Sequence, residues 1–211
     1  MRKTILHWLG LLGVVSFLSY TIAVIFSPMA YPGYNWMAQA VSDLSAINAP
    51  SRMLWNQLAS LYGVCGIVCL MAVCIFIQGK FNTTLRMGIQ LFTAMNWISF
   101  VGYSLFPLLD SGVNGTSLQD KMHLIVTILV VLSSIVSLVL IMIGGYRKKS
   151  YCSLAVWATI ALLFMVFGAI GVGMVPSEYF GIPERFSVFA ATGFNMILGL
   201  YLFNGFDKNP E

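Results

Sequence analysis

Apolar residues in this chain run in blocks rather than alternating singly. Six blocks stand out, at about 5–27, 53–78, 87–107, 123–145, 151–175 and 186–204. The block 123–145 is the clearest. It has 23 residues, none of them Asp, Glu, Lys or Arg, and is rich in Leu, Ile and Val. At about 1.5 Å per residue, a helix of that length crosses a hydrocarbon layer ~30 Å thick. Lipid offers no partners for backbone N–H and C=O groups, so each block must satisfy its own as a helix. A barrel would need alternating segments, which are absent. The expected fold is therefore all-α: a polytopic membrane protein, a bundle of six transmembrane helices forming one domain over 1–211.

The polar stretches between blocks set the order of the bundle. The connections 79–86 and 146–150 are short, which forces the helices they join to pack antiparallel. The longest connection, 28–51, opens at Pro28, turns at Pro32-Gly33 and closes at Pro50. Within it Trp36, Ala40, Val41, Leu44 and Ile47 recur at helical spacing, opposite Asn35, Gln39, Ser42 and Asp43. This pattern predicts a short amphipathic helix at the membrane surface after the first span. Each odd-numbered block ends at a proline (Pro28, Pro107, Pro176). Each even-numbered block opens with a base followed by Met or Phe (Arg52-Met53, Lys121-Met122, Arg185-Phe186). That recurrence is what three pseudo-repeated helical hairpins would leave behind.

Composition agrees with the blocks. Hydrophobic residues make up 59% of the 211 and charged residues only 9%, against about 25% charged in a soluble domain. Charge then gives direction. With both termini on one side, that side holds Arg2, Lys3, Lys80, Arg86, Arg147, Lys148, Lys149 and Lys208, and the other side only Arg52, Lys121 and Arg185. Eight against three makes the termini cytoplasmic. The expected location is the plasma (inner) membrane of a prokaryote, with multiple passes. The bases are scattered at block ends, so the +4 net charge is a signature of membrane topology and predicts no nucleic-acid partner. Cys65, Cys69 and Cys74 lie inside the second block and Cys152 opens the fifth, so they read as apolar packing rather than as disulfides or metal ligands.

Candidate chemistry gathers at the outer block ends. No block carries a charge at its centre, which argues against a mid-membrane proton relay. Asn96 and Asn195 are the buried amides and are expected to hydrogen-bond across helices. The outer ends hold Asp43, Arg52, Asn56, Asp110, His123, Glu184 and Arg185. If the helices close into a ring, these seven share one depth and form a ligand-binding set. Asp120 and Glu184 are expected to cap their helices. One outer histidine does not make a three-ligand zinc set, so neither a metal nor any other cofactor is expected.

The same residues carry a resemblance. Ser42-Asp43-Leu44, Phe106-Pro107 with Asp110, His123 opening the fourth block, and Glu184-Arg185 opening the sixth resemble a large family of small prokaryotic six-span membrane proteins, domain of unknown function 998 (DUF998). Ser45 stands where relatives often carry Gly. The resemblance implies the six-span fold, points again to the outer polar groups and brings no settled activity. The leading expectation is binding of a lipid head group or small amphiphile, for sensing or translocation, with membrane lipids as partners. Arg52 and Arg185 would hold the anion, and Asp43, Asp110 and His123 would orient it. An intramembrane lipid-modifying enzyme using His123 with Asp110 as acid and base is the second expectation. A structural subunit of a membrane complex is the third. No oligomeric state follows from the sequence.

Overall fold

The computed structural model describes residues 3–110 and 117–206. Arg2 and Lys208 of the charge pattern lie outside them. Eight α-helices account for most of the described chain: α1 (Ile5–Leu9), α2 (Leu11–Phe26), α3 (Arg52–Leu58), α4 (Tyr62–Phe76), α5 (Thr83–Leu105), α6 (Leu118–Tyr146), α7 (Cys152–Met174) and α8 (Gly181–Phe203). Helices α1 and α2 are two parts of the first apolar block, broken at Gly10, and α3 and α4 are two parts of the second. Among the described residues, five segments are long and apolar enough to cross a membrane: Ile5–Ala30, Arg52–Phe76, Leu118–Tyr146, Lys149–Met174 and Ser177–Phe203. Helix α5 has comparable length, and Gln90 and Asn96 lower its apolar character. The protein is a polytopic helical membrane protein.

The long helices form a ring of neighbours. Helix α2 packs on α4, α4 on α5, α5 on α6, α6 on α7, α7 on α8, and α8 closes back onto α2 while also touching α4. The sequential pairs α2/α4, α5/α6 and α7/α8 pack against each other as helical hairpins. Small residues allow the closest approach. A Cβ on Gly10 would run into the Gly199 carbonyl, and one on Gly199 into the Gly10 carbonyl. Without these two glycines α1 and α8 could not meet at the break. The first and last described segments meet at one end of the ring, where Lys3 sits 3.0 Å over the Phe203 ring. We call this end the floor. The floor also carries the connections after α4 and α6. These are tied together by Asn82 Nδ2 donating to the Gly144 carbonyl and by Arg147 donating to Thr84. The opposite end, the roof, carries the segment 27–51 and the turns after α5 and α7.

Two helices, α5 and α6, begin earlier than the apolar pattern predicts, because polar residues start them. Asn82 caps α5 by accepting from the Leu85 N–H, and Ser117 caps α6 by accepting from the Asp120 N–H. Asp120, expected to be a cap itself, lies inside the helix and accepts from Ser117 Oγ and the Leu109 N–H. Glu184 lies in the first turns of α8 and caps nothing in its own helix. Asn96 also departs from expectation. Its Nδ2 donates to the Phe92 carbonyl one turn back on its own helix rather than to a neighbouring one.

The segment 28–51 is not an amphipathic surface helix. It is a folded strap with 3-10 turns at Ser27–Ala30 and Ser42–Ser45 and irregular backbone between them. The cause is local competition for backbone groups. Asn35 Oδ1 takes the Met37 N–H, Gln39 Oε1 takes the Asn35 N–H, and Asp43 Oδ2 takes the Ala40 N–H. Short polar side chains that accept from nearby N–H groups stabilise turns at the expense of a helix. Of the apolar positions, Val41 and Leu44 point into the bundle, whereas Trp36 stays exposed. Val41 joins Tyr20 and Val24 of α2 in a small roof-end core against Trp55, Tyr62, Val188 and Phe189, separate from the main core around Phe92 and Phe194.

Candidate roof-end binding site

The strap meets the ring at two places. Its first half docks on the N-terminus of α8. The Gly181 N–H donates to the Met37 carbonyl at 2.7 Å. A Cβ on Gly181 would collide with the Trp36 and Gln39 carbonyls, so the backbones can approach this closely only because the residue is glycine. Arg185, one turn along α8, reaches over the same stretch. Its Nη1 donates to the Gln39 carbonyl at 2.9 Å and to the Gly181 carbonyl at 2.8 Å, and its Nη2 donates to Tyr34 Oη at 2.6 Å. The Trp36 ring lies 5.9 Å from the guanidinium carbon. Glu184, beside it, accepts the Val41 N–H on both carboxylate oxygens at 3.3 Å. Asp43 is 5% exposed and accepts the Ala40 N–H at 3.0 Å. Three consecutive strap residues, 39, 40 and 41, therefore each give a backbone group to one of the three charged residues.

Tyr34 completes this corner. Burial pushes its phenol up to about 12, against the opposing pull of Arg185. It therefore stays a neutral hydroxyl, donating to the Ala40 carbonyl at 2.9 Å while accepting from Arg185. A cavity of about 320 Å³ opens beside it, lined by Val24, Ile25 and Pro28 from the end of α2, by Tyr34 and Trp36 from the strap, and by Arg185. One wall is apolar. The other presents the Arg185 guanidinium, with the Glu184 carboxylate near enough to act on it electrostatically. Of the five guanidinium N–H groups, three are spent on Gln39, Gly181 and Tyr34.

The second half of the strap docks on the turn after α5. The Ile47 and Asn48 N–H groups donate to the Leu108 and Leu109 carbonyls at 2.8 and 3.1 Å, and Asn48 Nδ2 donates to Asp110 at 2.7 Å. Arg52, opening α3, donates to the Ile47 carbonyl at 3.2 Å. His123 Nδ1 meets the Phe106 carbonyl at 2.8 Å, and its ring packs on Tyr103 at 4.9 Å. The carbonyl, not Asp110, orients that imidazole. Asn56 is exposed on α3. The seven sequence candidates thus fall into neighbourhoods. Asp43, Glu184 and Arg185 come together at α8, whereas Arg52, Asp110 and His123 lie along the strap's second half and the α5–α6 corner. Of the seven, Arg185 alone lines the 320 Å³ cavity.

A model for a protein of unknown function, DUF998, matches residues 12–201, a range that takes in every candidate site residue. The chain belongs to the DUF998 family. No curated protein and no solved structure matches it. What this DUF998 chain adds to the sequence pattern is the pair of strap aromatics. Tyr34 and Trp36 stand with Arg185 in the cavity, although only their neighbours Asp43 and Glu184-Arg185 drew notice as a motif. The one sequence signal for them is the density of aromatic residues just after the Pro32-Gly33 turn.

Proposed function

We propose that this protein binds the anionic head of a lipid or small amphiphile at the roof-end cavity, with Arg185 as the anchoring cation and Tyr34 and Trp36 as its frame. The observation that carries this reading is a half-buried guanidinium lining a cavity whose opposite wall is Val24, Ile25 and Pro28. A guanidinium beside an apolar wall can give charge-assisted hydrogen bonds to the oxygens of an anion. The apolar wall selects a ligand that is greasy on one side. On this reading the roof faces outward and the floor, with its lysines and arginines, faces the cytoplasm.

Two amphiphiles differing only in head-group charge test the proposal. Dodecanoate is expected to quench or shift Trp36 fluorescence in the purified protein, and dodecyl maltoside is not. Arg185→Gln is expected to weaken dodecanoate binding at least tenfold. Ile25→Trp fills the cavity and leaves the Arg185 hydrogen bonds in place, and it should weaken binding comparably. Equal binding of both amphiphiles, or binding unchanged in both variants, overturns the proposal.

A further inference from the structure

We propose that a trough on the outer face of α4 takes one acyl chain of an anionic glycerophospholipid from the floor leaflet, with Lys80 and Arg86 at its head group. The inference goes beyond the roof-end reading and does not rest on it.

The ring closes least tightly between α4 and α5. A trough of about 410 Å³ lies there, with α4 from Val64 to Ile75 as its base. It is bordered by Leu6 and Leu9 of α1 and by Trp97 and Phe100 of α5. Its lining has no charged residue, no amide and no hydroxyl. From Val64 to Ile75 α4 rises about 16 Å, one leaflet's share of a hydrocarbon core ~30 Å thick. Ile75 stands just before the floor connection, so the leaflet is the floor's. An apolar trough of that length and depth suits a hydrocarbon chain. Bulk lipid chains are as apolar as the trough, so the chain alone gives little selectivity. Selection has to come from the head end.

The polar residues next to the trough supply that end. Lys80 lies in the α4–α5 connection with its Nζ 3.4 Å over the ring of Phe76, the neighbour of Ile75. On α5, Gln90 and Arg86 stand seven and eleven residues before Trp97, on the same side of the helix. Gln90 is exposed and Arg86 half-buried. Thr93, between Gln90 and Trp97, meets Cys74 of α4 at 3.1 Å, which turns this side of α5 toward α4. Downward from the trough the residues therefore run aromatic, amide, cation. A glycerophospholipid presents chain, ester and phosphate in the same order. Among the described residues every Asp and Glu lies toward the roof. In sequence, the segments leading to the floor hold eight bases against two acids, Asp207 and Glu211. That balance favours an anionic head over a zwitterionic one. A second copy of this chain in the same orientation would bring its own Lys80 and Arg86 to the same depth, where like charges oppose docking. A lipid brings the opposite sign.

The test reads Trp97 in the full chain, held in phosphatidylcholine nanodiscs that contain a small fraction of phosphatidylglycerol brominated toward its chain ends. A parallel set contains the same fraction of brominated phosphatidylcholine. Bromine quenches a tryptophan that it touches, and subtracting the quenching seen in Trp97→Phe isolates Trp97 from the other tryptophans. Brominated phosphatidylglycerol is expected to quench Trp97 at least threefold more than brominated phosphatidylcholine. Replacing Lys80→Gln and Arg86→Gln together should remove that excess. Val68→Phe narrows the trough, leaves the head end alone and should remove it as well. Equal quenching by the two lipids in the unaltered protein is ordinary solvation by the bilayer and overturns the inference. No quenching by either means that protein covers the trough and overturns it too, as does an excess that persists in the double variant or in Val68→Phe. Trp36 reports the roof-end cavity and Trp97 the trough, so the two readings fail separately.

Discussion

The two halves of the strap hold charged residues in opposite ways. The first half is held across the chain. Residues 34–41 meet Gly181, Glu184 and Arg185, partners more than 140 positions away, through side chains that are themselves partly or fully withdrawn from water. The second half is held by backbone. Ile47 and Asn48 pair with the Leu108 and Leu109 carbonyls, and the one charged residue there with a side-chain partner, Asp110, is exposed. The lesson concerns where charge is stored. At the α5–α6 corner the polar groups find ordinary partners close by, such as His123 on Phe106 and Asp120 on Leu109. At α8 a guanidinium is built into the protein on the wall of a cavity. A set of candidates that looks uniform in the sequence divides into groups that hold the fold and a group with capacity for something else.

The largest effect that would sharpen this contrast is expected from Arg185→Ala. It removes the donors from the Gln39 and Gly181 carbonyls and from Tyr34 Oη. Charge-assisted hydrogen bonds are worth about 1.5–3 kcal/mol each, and losses at one cluster do not simply add. A destabilisation of about 3 kcal/mol is expected, a fall in unfolding temperature of roughly 6–12 °C for a chain of this length. Arg185→Lys should recover little of it, since a single ammonium cannot span two carbonyls and a phenol as the planar fork does. A fall of less than about 2 °C in Arg185→Ala, read by thermal unfolding in detergent, would mean that the first half of the strap docks without its charge.

A smaller effect is expected at His123. His123→Ala deletes one bond to the Phe106 carbonyl and the packing on Tyr103. The carbonyl lies near a polar turn and can find other partners, so the loss should be near one ordinary hydrogen bond, about 1 kcal/mol, or roughly 2–4 °C. His123→Asn, which can still donate toward Phe106, should recover part of it. If His123→Ala instead left stability untouched while abolishing an activity on lipid, that residue would belong to chemistry rather than to the fold.

Much of the fold was legible from hydrophobic blocks alone, because lipid forces every crossing segment to be a helix and leaves few other solutions. The helix starts were less legible. Asn82 and Ser117 are cap residues by type, but the apolar windows begin several residues later and hide them. The strap was misread for a physical reason. Its apolar residues do recur at helical spacing, yet Asn35, Gln39 and Asp43 intercept the N–H groups a helix would need, and the face they leave is used to plug the bundle at Val41. At the site, the Glu184-Arg185 pair was visible as a motif. The separation of Arg185 from Arg52, Asp110 and His123 was not, because block ends that share a depth in the membrane can still sit at different points around a ring. Only the order of helix contacts, with α8 closing on α2 and α5 pairing with α6, decides which ends are neighbours.

The mildest substitution bears most directly on the comparison. Asp110→Asn removes a charge and keeps an amide oxygen in the place where Asp110 accepts from Asn48 Nδ2 at 2.7 Å. The residue is exposed, so water already solvates the carboxylate and little is recovered by neutralising it. The backbone pairs of Ile47 and Asn48 with Leu108 and Leu109 do not involve the side chain and should hold the second half of the strap in register. The expected change in unfolding temperature is under about 1 °C, within the range of ordinary surface substitutions, and lipid retention should be unaltered. A fall of several degrees would show that this half also depends on a charged anchor. The division between a corner that merely closes the bundle and a corner that holds a ligand would then lose its basis, because Asp110 and Arg185 would be doing the same job at two ends of one strap.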